Sequence, residues 1–267
     1  MNKIVICIAV LLSLSACCKL DKGLVLYSDF EEDARDLSKL CRNGRMKGAV
    51  LSDDAAVGKH SVYFDGIDDY VEYPEGIYFE GAYSISIWAK WEECGLWNRI
   101  MEFNQDSPMS GNAVTLLVGP SEKGMIGRDL WFDQWIQVDG SPVESIIDQF
   151  ARPGEASLSY KPEIGVWKHI VIVYNPDENN SLGEMVNRKG QKVPYEGKVS
   201  LYLDGDLWSE SYRCLKPQSV STLSNWLGRS RFAADPYFQG RLDEFRLYDR
   251  CLNEKEIKKL FKQSKKK

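Results

Sequence analysis

Tyr83-Ser84-Ile85-Ser86-Ile87-Trp88-Ala89-Lys90-Trp91 is the stretch on which the fold turns. On an extended chain Ile85, Ile87, Ala89 and Trp91 share one side, and Ser84, Ser86, Trp88 and Lys90 share the other. Successive side chains of a strand point to opposite faces, so a period of two predicts a β-strand. Outward from it the chain continues in the same manner. Leu24–Phe30 is β-rich, and His60–Asp65 and Tyr70–Tyr73 flank the turn-like Gly66-Ile67-Asp68-Asp69. Trp167–Tyr174 is apolar on both faces, as a central sandwich strand should be. Lys198–Asp204 and Leu207–Tyr212 meet at Asp204-Gly205-Asp206, where Asp-Gly predicts a tight hairpin turn. Arg241–Tyr248 is the last strand.

One helix closes the chain. Asn253 is a good N-cap, Glu256 completes a capping box, and Ile257, Leu260 and Phe261 form an apolar stripe. The late lysines suit the negative end of the helix dipole. Asp33–Leu40 could add a short helical turn. Ser121–Pro162 and Pro176–Gly197 read as long loops. Without α/β alternation a doubly wound fold is excluded. Many short strands and one terminal helix predict an all-β, two-sheet antiparallel sandwich. A chain of 267 residues with 43% hydrophobic and 27% charged residues is long enough for one large domain of this kind.

The amino terminus reads as an export signal. Lys3 precedes an apolar run from Ile4 to Leu14, too short to span a bilayer, where about 20 residues are needed. Leu14-Ser15-Ala16-Cys17 then resembles the bacterial lipobox. That resemblance implies removal of residues 1–16, acylation of Cys17 and a lipidated tether over 17–23; an ordinary signal peptide cut near Ala16 is the alternative. The expected location is the outer membrane or cell surface, with membrane contact through the lipid alone.

Without residues 1–16 the net charge is −6, and apart from the lysine-rich 255–267 it is −12. An acidic body argues against nucleic acid as a partner. The lysine-rich tail 263–267 reads as a solvated helix end. Cys41, Cys94, Cys214 and Cys251 show no C-x-x-C spacing, so neither a zinc ribbon nor a redox motif is expected. In an oxidising compartment these four allow three connectivities that the sequence does not separate; Cys214–Cys251, both following late strands, is the favoured bridge, and four buried free thiols are the alternative.

Several residues together carry a resemblance to a known family. They are His60-Ser61-Val62-Tyr63-Phe64-Asp65-Gly66 with Asp69-Tyr70-Val71, then Tyr83–Trp88, then Trp167-Lys168-His169-Ile170-Val171. Val199–Gly205 and Gly240–Tyr248 with Leu252–Ile257 follow. Their order and spacing over residues 24–262 resemble the laminin-G-like (LamG-like) jelly rolls of the concanavalin A-like lectin/glucanase superfamily. The resemblance implies two packed antiparallel sheets but does not fix a function, since this fold hosts lectins, adhesion modules and enzymes. It also implies a structural calcium ion, Ca2+, at Asp29, Gly58 and Asp243, for which carboxylates and backbone carbonyls are suitable donors. Asp243 is placed on one face with Phe245 and Leu247, where a carboxylate needs a partner. Capping of backbone N–H groups, or pairing with Lys59 or an arginine, would serve as well. Asp65, Asp68 and Asp69 form an acidic turn that could bind a cation or simply shape the turn.

Glycosidases of this superfamily carry Glu-x-Asp-x-x-Glu on one strand, with both carboxylates on one face. No such motif is present, and Glu144–Asp148 has helical spacing, so no catalytic residues are assigned and an enzyme is not expected. With only His60 and His169, a three-histidine metal site is excluded; His169 reads as a structural core residue and His60 as packing near Val62 and Phe64. Sugars stack on aromatic rings beside polar groups. Trp131, Asp133 and Trp135, with Trp97 and Tyr237, are therefore the carbohydrate-binding candidates; for each, anchoring of a core or loop is the alternative. The functional expectation is a non-catalytic, envelope-anchored, monomeric glycan-binding lipoprotein. The alternatives are a protein-interaction or structural envelope module and, third, a divergent hydrolase or lyase.

Overall fold

The computed structural model describes residues 20–77, 79, 81–105, 112–121, 124–138, 141–147, 160–178, 183–186, 189–216 and 222–263. The signal segment, Cys17, Cys18, most of the tether and nearly all of the lysine tail lie outside them.

Two antiparallel sheets form a sandwich. The first holds β1 (Leu24–Ser28), β3 (Val50–Ser52), β4 (Ser61–Asp65), β6 (Tyr83–Glu93), β11 (Lys168–Asn175), β14 (Lys198–Leu203), β15 (Asp206–Ser211) and β17 (Gln239–Tyr248). Its order is β15-β14-β11-β6-β17-β4-β3, with β1 also on β17. The second holds β2 (Arg45–Lys47), β5 (Tyr70–Tyr73), β7 (Arg99–Asn104), β8 (Ala113–Ser121), β9 (Gly124–Val138), β10 (Ser141–Ile147) and β16 (Ser224–Leu227). Its order is β10-β9-β8-β7-β16-β5-β2. A small hairpin, β12 (Glu184–Val186) with β13 (Lys192–Pro194), forms a separate two-stranded sheet and packs through Val193 with Ile136, Val143 and Leu215.

The core lies between the two sheets. Ile85, Ile87, Ala89 and Trp91 all face it, as their alternation predicts, and meet Val71, Tyr73, Phe103, Leu116 and Phe132 of the opposite sheet. Phe245 bridges the layers, with ring centroids 5.8 Å from Tyr73 and 5.9 Å from Phe103. Burying such rings removes well over about 100 Å² of apolar surface each, which makes this layer the main source of stability. Asp204 (φ 53°) and Gly205 (φ 85°) make the two-residue turn between β14 and β15. Two left-handed residues match the twist of the flanking strands. Gly240 is required for a different reason: a Cβ there would sit 2.2 Å from the Lys90 carbonyl oxygen.

The helix α1 (Glu254–Gln263) packs on the outer face of the eight-stranded sheet. Asn253 Oδ1 accepts from the Lys255 and Glu256 amides, and Glu256 Oε2 accepts from the Asn253 amide, which is the expected capping box. Ile257 and Leu260 join Leu20, Val171, Val173, Tyr248 and Leu252 in a second apolar cluster. Phe261 stacks on Trp88 at 5.7 Å.

Four expectations need correction. Residues 33–40 are turns and bends without a helix. The expected loop 121–162 contains β9 and β10, whose outer faces are charged and aromatic and so hide the period of two. Pro176–Gly197 contains the β12–β13 hairpin. Cys214 and Cys251 are not bridged: they enter different apolar clusters, and their thiols donate to the Glu196 and Tyr174 carbonyls respectively. Burial pushes the Cys214 thiol up to about 12. Cys41 and Cys94 are not in disulfides either.

Candidate functional site

The outer face of the seven-stranded sheet is built from one rank of cross-strand partners. Asp133 of β9 opposes Thr115 of β8, which opposes Glu102 of β7; Glu102 opposes Trp226 of β16, and Trp226 opposes Glu72 of β5. Along β9, Trp131, Asp133 and Trp135 share this face, because Leu130 and Phe132 point into the core. Glu144 of β10 opposes Trp135 and so lies diagonally beside Asp133.

Arginines complete the site. A register shift in β7 between Arg99 and Met101 puts Arg99 on the same side as Glu102. Arg99 Nε then donates to Glu102 Oε2 at 3.1 Å, and its Nη1 donates to Asp235 Oδ2 and to the Trp97 carbonyl. Arg231 enters from the loop between β16 and β17. Its amide donates to Glu102 Oε1, its Nε lies 3.4 Å from that oxygen, and its guanidinium covers the Trp135 ring at 4.7 Å. Trp135 Nε1 donates to Asp133 Oδ2 at 2.6 Å. The Asp133 and Glu144 carboxyls contact each other, and burial raises both above the usual carboxylate range, Asp133 the further.

This face is short of partners. Asp129 Oδ1, Trp131 Nε1, Asp133 Oδ1, Gln137 Nε2, Trp226 Nε1 and Arg231 Nε and Nη1 are buried without a hydrogen bond. Arg229 lies between Tyr70 and Trp226, 4.7 and 4.5 Å from their ring centroids.

The carbohydrate candidates divide. Trp135 is half-buried, with its ring edge at the Asp133–Glu144 pair. Trp131 is only 7% exposed and packs edge-on against Trp97 at 5.4 Å, so both serve chiefly as support. Tyr237 is half-buried in the loop that carries Arg231 and Asp235. Glu102, Arg231 and Trp226 were not among the expected residues, and Glu144 sits on a strand rather than at helical spacing.

The expected calcium residues lie at the other sheet. A register shift in β17 between Asp243 and Arg246, with Glu244 at φ 53°, turns the strand's faces over. Leu242, Phe245 and Leu247 therefore share the core, whereas Asp243 opposes Trp88 on the outer side; its expected placement with Phe245 and Leu247 is incorrect. Asp243 Oδ2 accepts from the Ala56 and Val57 amides, both at 3.0 Å, next to Gly58. Asp243 Oδ1 is buried without a partner, and burial pushes the carboxyl up to about 8. Asp29 caps the Glu31 amide, and Glu31 Oε1 accepts from the Lys59 and His60 amides beyond Gly58. One orphaned carboxylate oxygen beside a glycine turn suits calcium, which tolerates a mixed shell of carboxylates and carbonyls. Among the described residues, the set that brings three acidic oxygens within 4.8 Å of one another is Asp65, Asp68 and Asp69 instead. There Asp69 Oδ2 accepts from the Asp65 amide and Asp65 Oδ1 from the Ile67 amide, which is ordinary turn chemistry.

His169 is 1% exposed, with Nε2 3.0 Å from Ser86 Oγ, and burial pushes it down to about 3, so it is a neutral structural residue. His60 Nδ1 lies 2.8 Å from the Glu31 carbonyl oxygen.

Residues 65–258 match the laminin G family model Laminin_G_3, described as concanavalin A-like lectin/glucanases superfamily. The chain belongs to this superfamily. No curated protein matches it. Among solved structures, this superfamily member is similar to domain 4 of AbnA, an extracellular arabinanase from Geobacillus stearothermophilus solved with arabinotriose. The TM-score is 0.61 at 18% identity, over 89% of this chain and 98% of that one. It is also similar to the binding domain of Paraclostridial Mosquitocidal Protein 1 (TM-score 0.54, 17% identity, 91% of this chain and 52% of that one). The binding domain of Botulinum Neurotoxin DC in complex with SialylT is a third (TM-score 0.56, 13% identity, 92% and 52%). The chain thus spans about half of each of these toxin domains, and the likeness is one of fold.

Proposed function

We propose that this superfamily member is a non-catalytic glycan-binding module that uses the outer face of the seven-stranded sheet. The observation that carries the reading is the half-buried Trp135 ring beside the half-buried Glu144 carboxyl on that face, backed by Asp133 and Arg231. Sugar hydroxyls both donate and accept, so they suit the reachable Glu144 carboxyl. Trp135 supplies the ring on which a sugar's C–H face would stack. The arabinotriose complex of the arabinanase domain and the SialylT complex of the toxin domain are in keeping with a saccharide as ligand.

An anchor and an ion complete the reading. Acylation at Cys17 would hold the domain at the cell envelope, outer membrane or surface, through lipid alone; several acyl chains on one residue give a stable anchor where one does not. No helix among the described residues is long and apolar enough to cross a membrane. Calcium at Asp243, with Asp29 and Gly58 on the adjoining loops, would be structural. A glycan array probed with the purified protein, first in calcium and then in EDTA, tests both glycan and ion. Specific binding in calcium supports the glycan reading; survival in EDTA leaves the ion no role beyond structure. No binding in either condition contradicts the glycan reading and favours a protein partner.

A further inference from the structure

The contact between Asp133 and Glu144 has a definite chemical requirement. Asp133 Oδ2 is engaged by Trp135 Nε1, while Oδ1 is buried and unpartnered beside a second carboxyl that, when ionised, can only accept. Two ionised carboxylates in contact in a dry site repel, and one proton between them removes the repulsion and satisfies Oδ1 together. Arg99 pairs with Glu102 of its own strand and with Asp235, and it also acts on Glu144. Arg231, from the loop, faces Glu102, Asp133 and Glu144 at once. Among the described residues, two guanidiniums therefore stand against these four carboxyl groups, with Asp129 further along β9, and even with one shared proton this set keeps a negative balance. An acidic sugar would add a charge to that balance, and an uncharged one would not.

We propose that Asp133 and Glu144, diagonal neighbours on β9 and β10, share one proton, and that this pair, with Arg231 and the Trp135 ring, selects an uncharged saccharide that is released as the pair loses its proton. The inference rests on the glycan reading above. Glu144 and Trp135 are half-buried and accessible to a ligand; Asp133 and the Arg231 side chain, 5% and 4% exposed, back them. The shared proton holds Glu144 against Asp133 and leaves the other Glu144 oxygen to accept from a sugar hydroxyl. In the doubly ionised pair, repulsion pushes Glu144 away from Asp133 and from that hydroxyl.

The test is a glycan array carrying uncharged and acidic oligosaccharides, probed at pH 5.5 and pH 9, together with a carbon-13 NMR titration of the side-chain carboxyls. The expected result is that uncharged glycans give the signal, that it falls at least tenfold at pH 9, and that two carboxyls titrate together in two separated steps. Asp133→Asn places an amide donor where the shared proton lies; it should bind more weakly than wild type at pH 5.5 but equally at both pH values. Glu144→Gln, at the half-buried position, is the second variant should the first fail to fold. Preferential binding of acidic glycans, a flat wild-type pH profile, or two carboxyls titrating independently in the ordinary range would overturn the inference while leaving the glycan reading in place. Absence of any glycan signal at either pH would overturn both.

Discussion

The two outer faces of this sandwich bury charge in different ways. On the eight-stranded sheet Arg246 Nη2 is 2.5 Å from Glu244 Oε2, Tyr27 Oη donates to the same carboxylate, and the guanidinium lies 3.9 Å from the Tyr27 ring centroid. Ser86 pairs with His169, and α1 closes the layer through Phe261. The atoms left over there are few: Asp243 Oδ1, His169 Nδ1 and Tyr248 Oη. On the seven-stranded sheet, the Arg99–Glu102–Arg231 cluster is equally buried, and the described residues of that face leave seven side-chain atoms without a hydrogen bond, one of them Arg231 Nε, which is ion-paired with Glu102. The first network is completed by its own residues and by α1, whereas the second leaves Glu144 and Trp135 half-buried at the surface, where a ligand would reach them.

The largest effect expected from this contrast is on stability. Arg246→Ala leaves Glu244 buried without its partner, which costs about 3–5 kcal/mol. Urea unfolding measures it, and a loss below about 1 kcal/mol would show that the first face is not sealed. Next, Trp131→Ala removes a buried ring and should cost about 3 kcal/mol. Trp135→Ala on the same strand face should cost less than about 1 kcal/mol, because Trp135 is only half-buried. Equal losses would erase the distinction between support and ligand platform.

A smaller and pH-dependent effect sharpens the account of Asp243. Its folded value of about 8 lies above that of an unfolded aspartate, so the folded state holds the proton more tightly. Without divalent cations, its contribution to stability should fall between about pH 4 and 8, on the order of 1 kcal/mol per pH unit. His169, depressed to about 3, acts in the opposite direction: its contribution is lost as pH falls below about 6.5. These two slopes largely cancel between about pH 4 and 6.5, so the Asp243 share of the decline should show towards about pH 8 as a difference between melting in EDTA and in calcium. Calcium should remove the upper decline in the wild type, whereas Asp243→Asn should lose the Asp243 share of that decline and the response to calcium, and keep the rise towards about pH 6.5 that His169 gives. A calcium-independent wild-type curve would leave Asp243 as a cap of the Ala56 and Val57 amides alone.

Much of the fold was legible because Tyr83–Trp91 and Lys168–Tyr174 alternate or saturate in the way their burial demands, and Asp204-Gly205 can make few other turns. β9 and β10 were not, since Trp131, Asp133 and Trp135 lie on the outer face and give no apolar–polar contrast. The site was half legible. The aromatic and acidic residues of β9 stood out, but Arg231 reaches them from a distant loop. Two bulges account for the rest. One brings Arg99 beside Glu102, and the other turns Asp243 away from Phe245; a one-residue slip inverts every face beyond it, and no residue type announces it.

The most direct measurement is the affinity of the wild type and of Trp135→Ala for the strongest uncharged glycan found on the array, by titration calorimetry, with melting temperatures recorded alongside. Binding that weakens at least tenfold in Trp135→Ala, at nearly unchanged melting temperature, is the predicted result. Equal affinity in the two proteins would contradict glycan binding at the outer face of the seven-stranded sheet.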